Sequence, residues 1–207
     1  MDGQKPLVVK PLGLMPYAET AAAMRTFTLA RDGATPDEIW LTEHPPVYTL
    51  GLAGRREHIL NAAAIPVVQS DRGGQVTYHG PGQVIAYLLL DLKRRDLKVR
   101  GLVRLIEDAL IATLGEFGIE GARRAGMPGV YVASGAKIAA LGLKVKNGCS
   151  YHGASLNVDM DVAPFAGINP CGYENLAVAQ VRDFNATASP SEAAAQLAAQ
   201  LQLRLAQ

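Results

Sequence analysis

Cysteine is scarce in this chain. Only Cys149 and Cys171 occur among 207 residues, too few for a disulfide framework. Charge of either sign is equally short of an excess. Twenty Lys and Arg face nineteen Asp and Glu, and the net charge of +1 excludes a general attraction to nucleic acid or to an anionic membrane surface. No apolar run approaches the ~20 residues of a membrane helix. The opening MDGQKPLVVKPLGL lacks the apolar stretch and cleavage site of a secretory signal. Neither of the glycine patterns that cradle phosphate, GxGxxG and GxxxxGK[ST], is found. These absences lead us to expect a soluble, cytoplasmic protein with reduced thiols and no nucleic-acid or membrane partner.

What is present is ordinary globular composition, 49% hydrophobic and 19% charged, expected to fold as one domain over residues 1–207. PLVVK (6–10), EIWLTEH, VYTLG and IPVVQS read as short strands. VIAYLLLDL (84–92) is nearly continuously apolar, as in a strand covered on both faces. Helices are expected over Tyr17–Arg31, before the stop at Gly33, and where Leu102, Leu105, Ile106, Ala109, Leu110, Leu114 and Phe117 recur at helical spacing. A third begins with Ser189 as cap, Pro190 at the first position and Glu192 three residues after the cap. The pattern is α+β, a mixed sheet covered by helices. The polar segment KRRDLKVR (93–100) reads first as a solvated loop, and second as a basic surface that steers an acidic partner.

Asn147-Gly148 is a strong two-residue hairpin signal, because both positions need positive φ. Counting outward, Lys146 pairs with Cys149, Gly142 with Gly153, Leu141 with Ala154 and Ala140 with Ser155. Two opposed glycines leave bare backbone for a ligand's close approach, or serve only the curvature of the sheet. Strict alternation puts Lys137 on one apolar face with Ala139, Leu141, Leu143 and Val145. A lysine there either snorkels to water or is buried, with burial lowering its pKa.

In INPCGYENL, Pro170 fixes one dihedral and Gly172 frees another around Cys171, a setting able to aim a side chain. These nine residues alone favour a buried, inert thiol. His79 and His152 compete for the role of base to any reactive cysteine. Cys149 and His152 in CSYH make a poor metal signature, so no metal or cofactor is expected, and Cys149 itself reads as inert. Gly73, Gly74, Gly80 and Gly82 bracket a loop that lets backbone pack on an extended ligand.

Taken together, RGGQVTYHGPGQ (72–83), GAKIAALG (135–142), HGASLN (152–157) and NPCG (169–172) resemble the lipoate-protein ligase B, or lipoyl(octanoyl) transferase, family. The resemblance runs from HPPVYTLG at residue 44 to beyond Cys171. It implies a two-layer α+β domain similar to the catalytic domains of biotin and lipoate ligases. It also implies an ATP-independent acyltransferase, taking an octanoyl group from octanoyl-acyl carrier protein. The acceptors it implies are lysines on lipoyl domains, those of 2-oxoacid dehydrogenase E2 subunits and of the glycine cleavage H protein. The family's acyl-carrying cysteine falls on Cys171 and its activating lysine on Lys137. Its substrate-binding stretches fall on Arg72, Gly73, Gly74, Gln75, Val76, Thr77, Tyr78 and His79, on Ala140, Leu141 and Gly142, and on Gly153, Ala154 and Ser155. The family commonly reads HGLALN where this chain has Ala154 and Ser155. Backbone N–H groups near Gly172 or in the Gly73-Gly74 loop are the candidates to hold an oxyanion.

Overall fold

The computed structural model describes residues 7–174 and 176–207, so Pro6 of the expected first strand lies outside the described residues. The apolar run becomes β6 (Gln83–Leu89), and all its residues are buried. Alternation divides them. Val84, Ala86 and Leu88 join the core beneath α2 (Val99–Glu116) and α3 (Pro190–Leu205). Ile85, Tyr87 and Leu89 pack with Met24 of α1 (Tyr17–Ala30) on the opposite face.

Around this central strand lies a seven-stranded sheet in the order β1 (Leu7–Leu14), β2 (Asp37–Glu43), β6, β10 (Cys149–Asn157), β9 (Lys137–Lys146), β8 (Met127–Tyr131), β7 (Ala122–Arg124). β1 and β2 run parallel and the remaining neighbours antiparallel. A smaller sheet of β4 (Val67–Gln69), β3 (Val47–Leu50) and β5 (Val76–His79) closes over a separate cluster of Tyr48, Tyr78, Phe165 and Ile168. The chain leaves the large sheet for the small one at His44-Pro45-Pro46. β5 occupies part of the stretch expected as a glycine-rich loop, which shrinks to residues 71–75. β7 and β8 were not expected, since β7 is only Ala-Arg-Arg and the five residues of β8 are interrupted by Pro128 and Gly129.

The β9–β10 hairpin has the register that Asn147-Gly148 dictates: Lys146 with Cys149, Gly142 with Gly153, Ala140 with Ser155. At the start of α3, Ser189 accepts the Glu192 N–H at 3.2 Å, with Pro190 as the first helical residue.

The basic segment is neither a free loop nor a free docking surface at its centre. Arg94 and Arg95 close on the buried carboxylate of Asp37, at 2.7 and 2.5 Å, beside Arg31 at 2.5 Å. Arg31 also donates to the Leu89 carbonyl, and Arg95 to that of Leu205. One carboxylate thus ties together the ends of α1, β2, β6 and α3. Burial pushes the Asp37 carboxyl up, but the Asp91 N–H and the guanidiniums outweigh it, and its pKa falls below the ordinary value. A depressed folded pKa gives stability that is present above the unfolded value of about 3.9 and is lost as pH falls through the folded one. Asp37→Ala should destabilise the protein by about 3–5 kcal/mol at pH 7, because it leaves buried cations uncompensated. The difference from wild type should shrink as pH is lowered through 4. Urea unfolding at several pH values measures both; equal stability at pH 7 would reject the clamp.

Candidate active site

Pro170, Cys171 and Gly172 form a single 3-10 turn in which Cys171 adopts φ 58° and Gly172 φ 79°. The left-handed region is unfavourable for a cysteine and is sustained only where its surroundings impose it. Here the neighbours are fixed by backbone bonds. Asn169 N–H donates to the His58 carbonyl, and the Lys137 backbone is bridged on both sides, N–H to Ala177 and carbonyl from Ala179. The outcome is that Lys137 Nζ stands 3.1 Å from Cys171 Sγ.

Lys137 reaches that position by breaking the alternation expected of its strand. Val130 pairs with Ala139, but Tyr131 pairs with Lys137, so β9 carries one extra residue at the junction. Ala139 and Val130 remain in the helix-side core, while Lys137 turns to the other face, against Tyr131 and the thiol. It is 5% exposed, so it does not snorkel to water. Burial alone lowers its pKa, as the sequence suggested. The negative charge and hydrogen bond of Cys171, with a contribution from Tyr131, outweigh burial, and the net shift is upward. The expectation of a depressed lysine considered burial without its partner.

Cys171 opens on a cleft whose empty space, open solvent at its mouth included, is about 510 Å³. Its walls bring together Arg72, Gly74, Gln75, Val76, Thr77 and His79 with Ala140, Leu141 and Gly142 of β9 and Gly153, Ala154 and Ser155 of β10. Gly73 and Tyr78 do not border it. Gly73 N–H bonds to the Leu143 carbonyl, and Tyr78 points to the opposite face of β5, between Tyr48 and Phe165. Lys137 meets Cys171 in an adjoining recess with Thr77, Ala140 and Ser155. Both glycines of the hairpin border the cavity, yet the space that their side chains would occupy is taken by the protein. A Cβ on Gly142 would lie 2.7 Å from the Gly73 carbonyl oxygen, and one on Gly153 would overlap the Ala86 carbonyl.

Arg72 is buried and has no carboxylate partner among the described residues. Its guanidinium donates to the Thr49 hydroxyl and carbonyl and to the carbonyls of Gly73 and Gln75. Burial lowers its pKa, and the charge of Cys171 acts in the opposite direction. Of the expected oxyanion donors, Gly172 N–H is engaged with the Asn169 carbonyl and Gly73 N–H with Leu143.

Tyr17, Ile85, Tyr87 and His152 also line the cavity and escaped sequence reasoning as wall residues. A tyrosine inside the apolar run of β6 was the available signal for Tyr87. His152 belongs by alternation with Ala154 and Leu156, but its φ of 59° turns it to the side of Tyr151. Both then bond to Asp71, His152 Nε2 at 2.8 Å and the Tyr151 hydroxyl at 2.5 Å. His79 is held by Gln83 Oε1 at 2.7 Å and His44 by the Tyr87 hydroxyl at 2.6 Å. Burial pushes His79 down to about 3 and lowers His44 and His152 as well. None of these three imidazoles bonds to the thiol, whose side-chain partner is Lys137 Nζ. Among the described residues, no group of three His, Cys, Asp or Glu gathers as a metal site, and no helix is long and apolar enough to cross a membrane.

The sheet order and helix placement define the catalytic-domain fold of lipoate and biotin protein ligases. A bi-partite lipoate protein ligase of Thermoplasma acidophilum, described with its E2 lipoyl domain, superposes with TM-score 0.75 at 16% identity, covering 97% of this chain and 83% of that one. Lipoate-protein ligase A bound with ATP gives 0.74 at 16% identity over 100% and 86%. A biotin protein ligase of Aquifex aeolicus gives 0.57 at 10% identity over 97% and 69%. Residues 16–202 match the lipoyl protein ligase A/B catalytic domain. An octanoyltransferase of Dechloromonas aromatica is 60% identical over 98% of both chains, and one of Laribacter hongkongensis is 55% identical over 96% and 95%. The chain belongs to the lipoyl protein ligase A/B catalytic family, in its group of octanoyltransferases.

The histidine electrostatics carry a direct expectation. His79 should show no titration between pH 5 and 8 in NMR spectra of ring-labelled protein, since its pKa lies near 3. A midpoint close to 6.5 would return His79 to the list of candidate bases.

Proposed function

We propose that the chain is an ATP-independent acyltransferase, one catalytic domain over residues 1–207. It moves an octanoyl group from octanoyl-acyl carrier protein to a lysine of a lipoyl domain, through a thioester on Cys171. The observation that carries this reading is the 3.1 Å contact of Lys137 Nζ with Cys171 Sγ at the mouth of a largely apolar cavity.

The chemistry follows from those two side chains. A thiolate attacks the carrier's thioester carbonyl, and the Lys137 ammonium stabilises that thiolate beforehand. The carbon–sulfur bond to the carrier breaks, and the leaving thiolate takes the proton of Lys137. Cys171 is now a neutral thioester, so the negative charge that raised the lysine's pKa has gone while its burial remains. The neutral amine therefore persists. When the acceptor lysine attacks the thioester, Lys137 receives the proton that this amine loses, the Cys171 carbon–sulfur bond breaks, and the thiolate–ammonium pair is restored. Thiol-to-thioester exchange is nearly balanced and amide formation is downhill, so no nucleotide is required.

The eight-carbon chain extends along Ala140–Gly142 and Gly153–Ser155 towards Tyr17, Tyr87 and His152. Each buried methylene contributes about 0.8 kcal/mol, enough to favour a chain that fills the cavity over a shorter one. Ser155 faces this cavity, whereas Ala154 belongs mainly to the helix-side core.

The fold is shared with a ligase bound to ATP, so the test omits nucleotide. Incubation with octanoyl-acyl carrier protein should add one octanoyl group, removable by hydroxylamine and mapped by peptide mass spectrometry to Cys171. Cys171→Ala should abolish transfer, and Cys149→Ala should retain most of it. An adduct on Cys149, or transfer that depends on ATP and magnesium, would overturn the reading.

A further inference from the structure

Gly129 and Tyr131 alternate along β8 and so share a face, one without a side chain and the other with a ring. Lys137 occupies the space between them. A Cβ on Gly129 would come within 2.7 Å of Lys137 Cε and 3.2 Å of Nζ. Nζ itself lies 5.2 Å from the centroid of the Tyr131 ring. An ammonium has three donors, and the Cys171 sulfur takes one of them. The Tyr131 ring is 1% exposed, and among the described residues its hydroxyl makes no hydrogen bond within 3.5 Å, although it lies near enough to Lys137 to help raise that lysine's pKa. We propose that the Tyr131 ring is the seat of the Lys137 ammonium: a positioning residue whose π-face, rather than whose hydroxyl, sets how readily Lys137 holds its proton.

The cation–π attraction adds to the pull of the Cys171 sulfur in holding the Lys137 ammonium before the acyl group arrives. The charged groups facing this seat are few. Cys171 comes from the 170–172 turn, and Arg72 acts on the thiol from the small-sheet side. Arg124 of β7 stacks on the same ring, its Cζ 4.7 Å from the centroid. Behind Gly129 lies Glu107 of α2, which accepts the Gly129 N–H at 3.0 Å and pairs with Arg123 at 2.9 Å. Glu107 is thus occupied on the far side of the backbone, and Cys171 and the Tyr131 ring are the groups that face the Lys137 ammonium.

This inference rests on the two-step transfer proposed above, and it makes the two steps respond oppositely. Thiolate formation needs the ammonium, so a weaker ring should move the alkylation rate of Cys171 to higher pH. Deacylation needs the neutral amine, so the same change should move its acid limb to lower pH. Purely structural damage moves both in one direction or neither.

The experiment compares Tyr131→Phe with a tetrafluorinated phenylalanine at 131, whose shape is similar but whose π-face is depleted of charge. Iodoacetamide labelling of Cys171 against pH reads the first step. Release of octanoyl from a preformed acyl-enzyme to a lipoyl domain reads the second. Tyr131→Phe should keep both profiles within about twofold of wild type. The fluorinated ring should slow labelling at pH 7 about fivefold or more and shift the two midpoints in opposite directions, the scale of a desolvated cation–π contact. Identical profiles for the two variants would overturn the proposal, as would a Phe variant as impaired as the fluorinated one. Labelling needs no octanoyl donor. Failure to form an acyl-enzyme would therefore count against the transfer reading, and an unchanged labelling profile against the ring seat alone.

Discussion

The buried guanidinium of Arg72 is the constraint on which the site's architecture depends. Its charge is met by carbonyls and a hydroxyl from Thr49, Gly73 and Gln75, so the loop 71–75 must curl around it. That loop can lie against the large sheet only because Gly142 presents no side chain, and it can meet the end of β3 only because Gly51 presents none. Breaking any of these contacts would leave a buried cation short of acceptors, a costly defect in a low-dielectric interior. The small sheet is thereby fixed over the β9–β10 hairpin, and the cavity is the space left between them.

Three side chains at or beside the cavity stand where the backbone departs from regular geometry. Cys171 and His152 adopt φ near 60°, and Lys137 follows the extra residue in β9. Each departure turns a side chain away from where regular geometry would put it and towards the cavity side. Such conformations cost of order 1–3 kcal/mol apiece and persist where surrounding contacts over-determine them. Here those contacts are the Asp71 bonds to His152 and Tyr151, and the bridging of Lys137 to Ala177 and Ala179.

The electrostatics divide along the same line. Histidines in the cavity wall lose charge because burial is opposed only by neutral partners or by a single carboxylate. Lys137 keeps its charge although it is buried, because the Cys171 and Tyr131 side chains oppose the effect of that burial. The same side chain can then hold a proton beside a thiolate and release it beside a thioester, which is the property the proposed transfer needs.

What the sequence determined by itself was whatever is encoded locally. The Asn147-Gly148 turn set the hairpin register to the residue, because a two-residue loop with positive φ admits one pairing. The Ser189-Pro190 start, the helical spacing of α2 and the doubly covered β6 followed from capping and periodicity. The motifs resembling a known family named Cys171 and Lys137 together. Tertiary structure alone decided the rest. Arg94 and Arg95, exposed cations on a linear reading, fold onto Asp37 from 57 and 58 residues away. Tyr17, Tyr87 and His152 reach the cavity from three elements, and Lys137 changes face through a bulge that strict alternation does not foresee. Its pKa rises rather than falls, because local pattern reports that a lysine is buried but not what is buried with it.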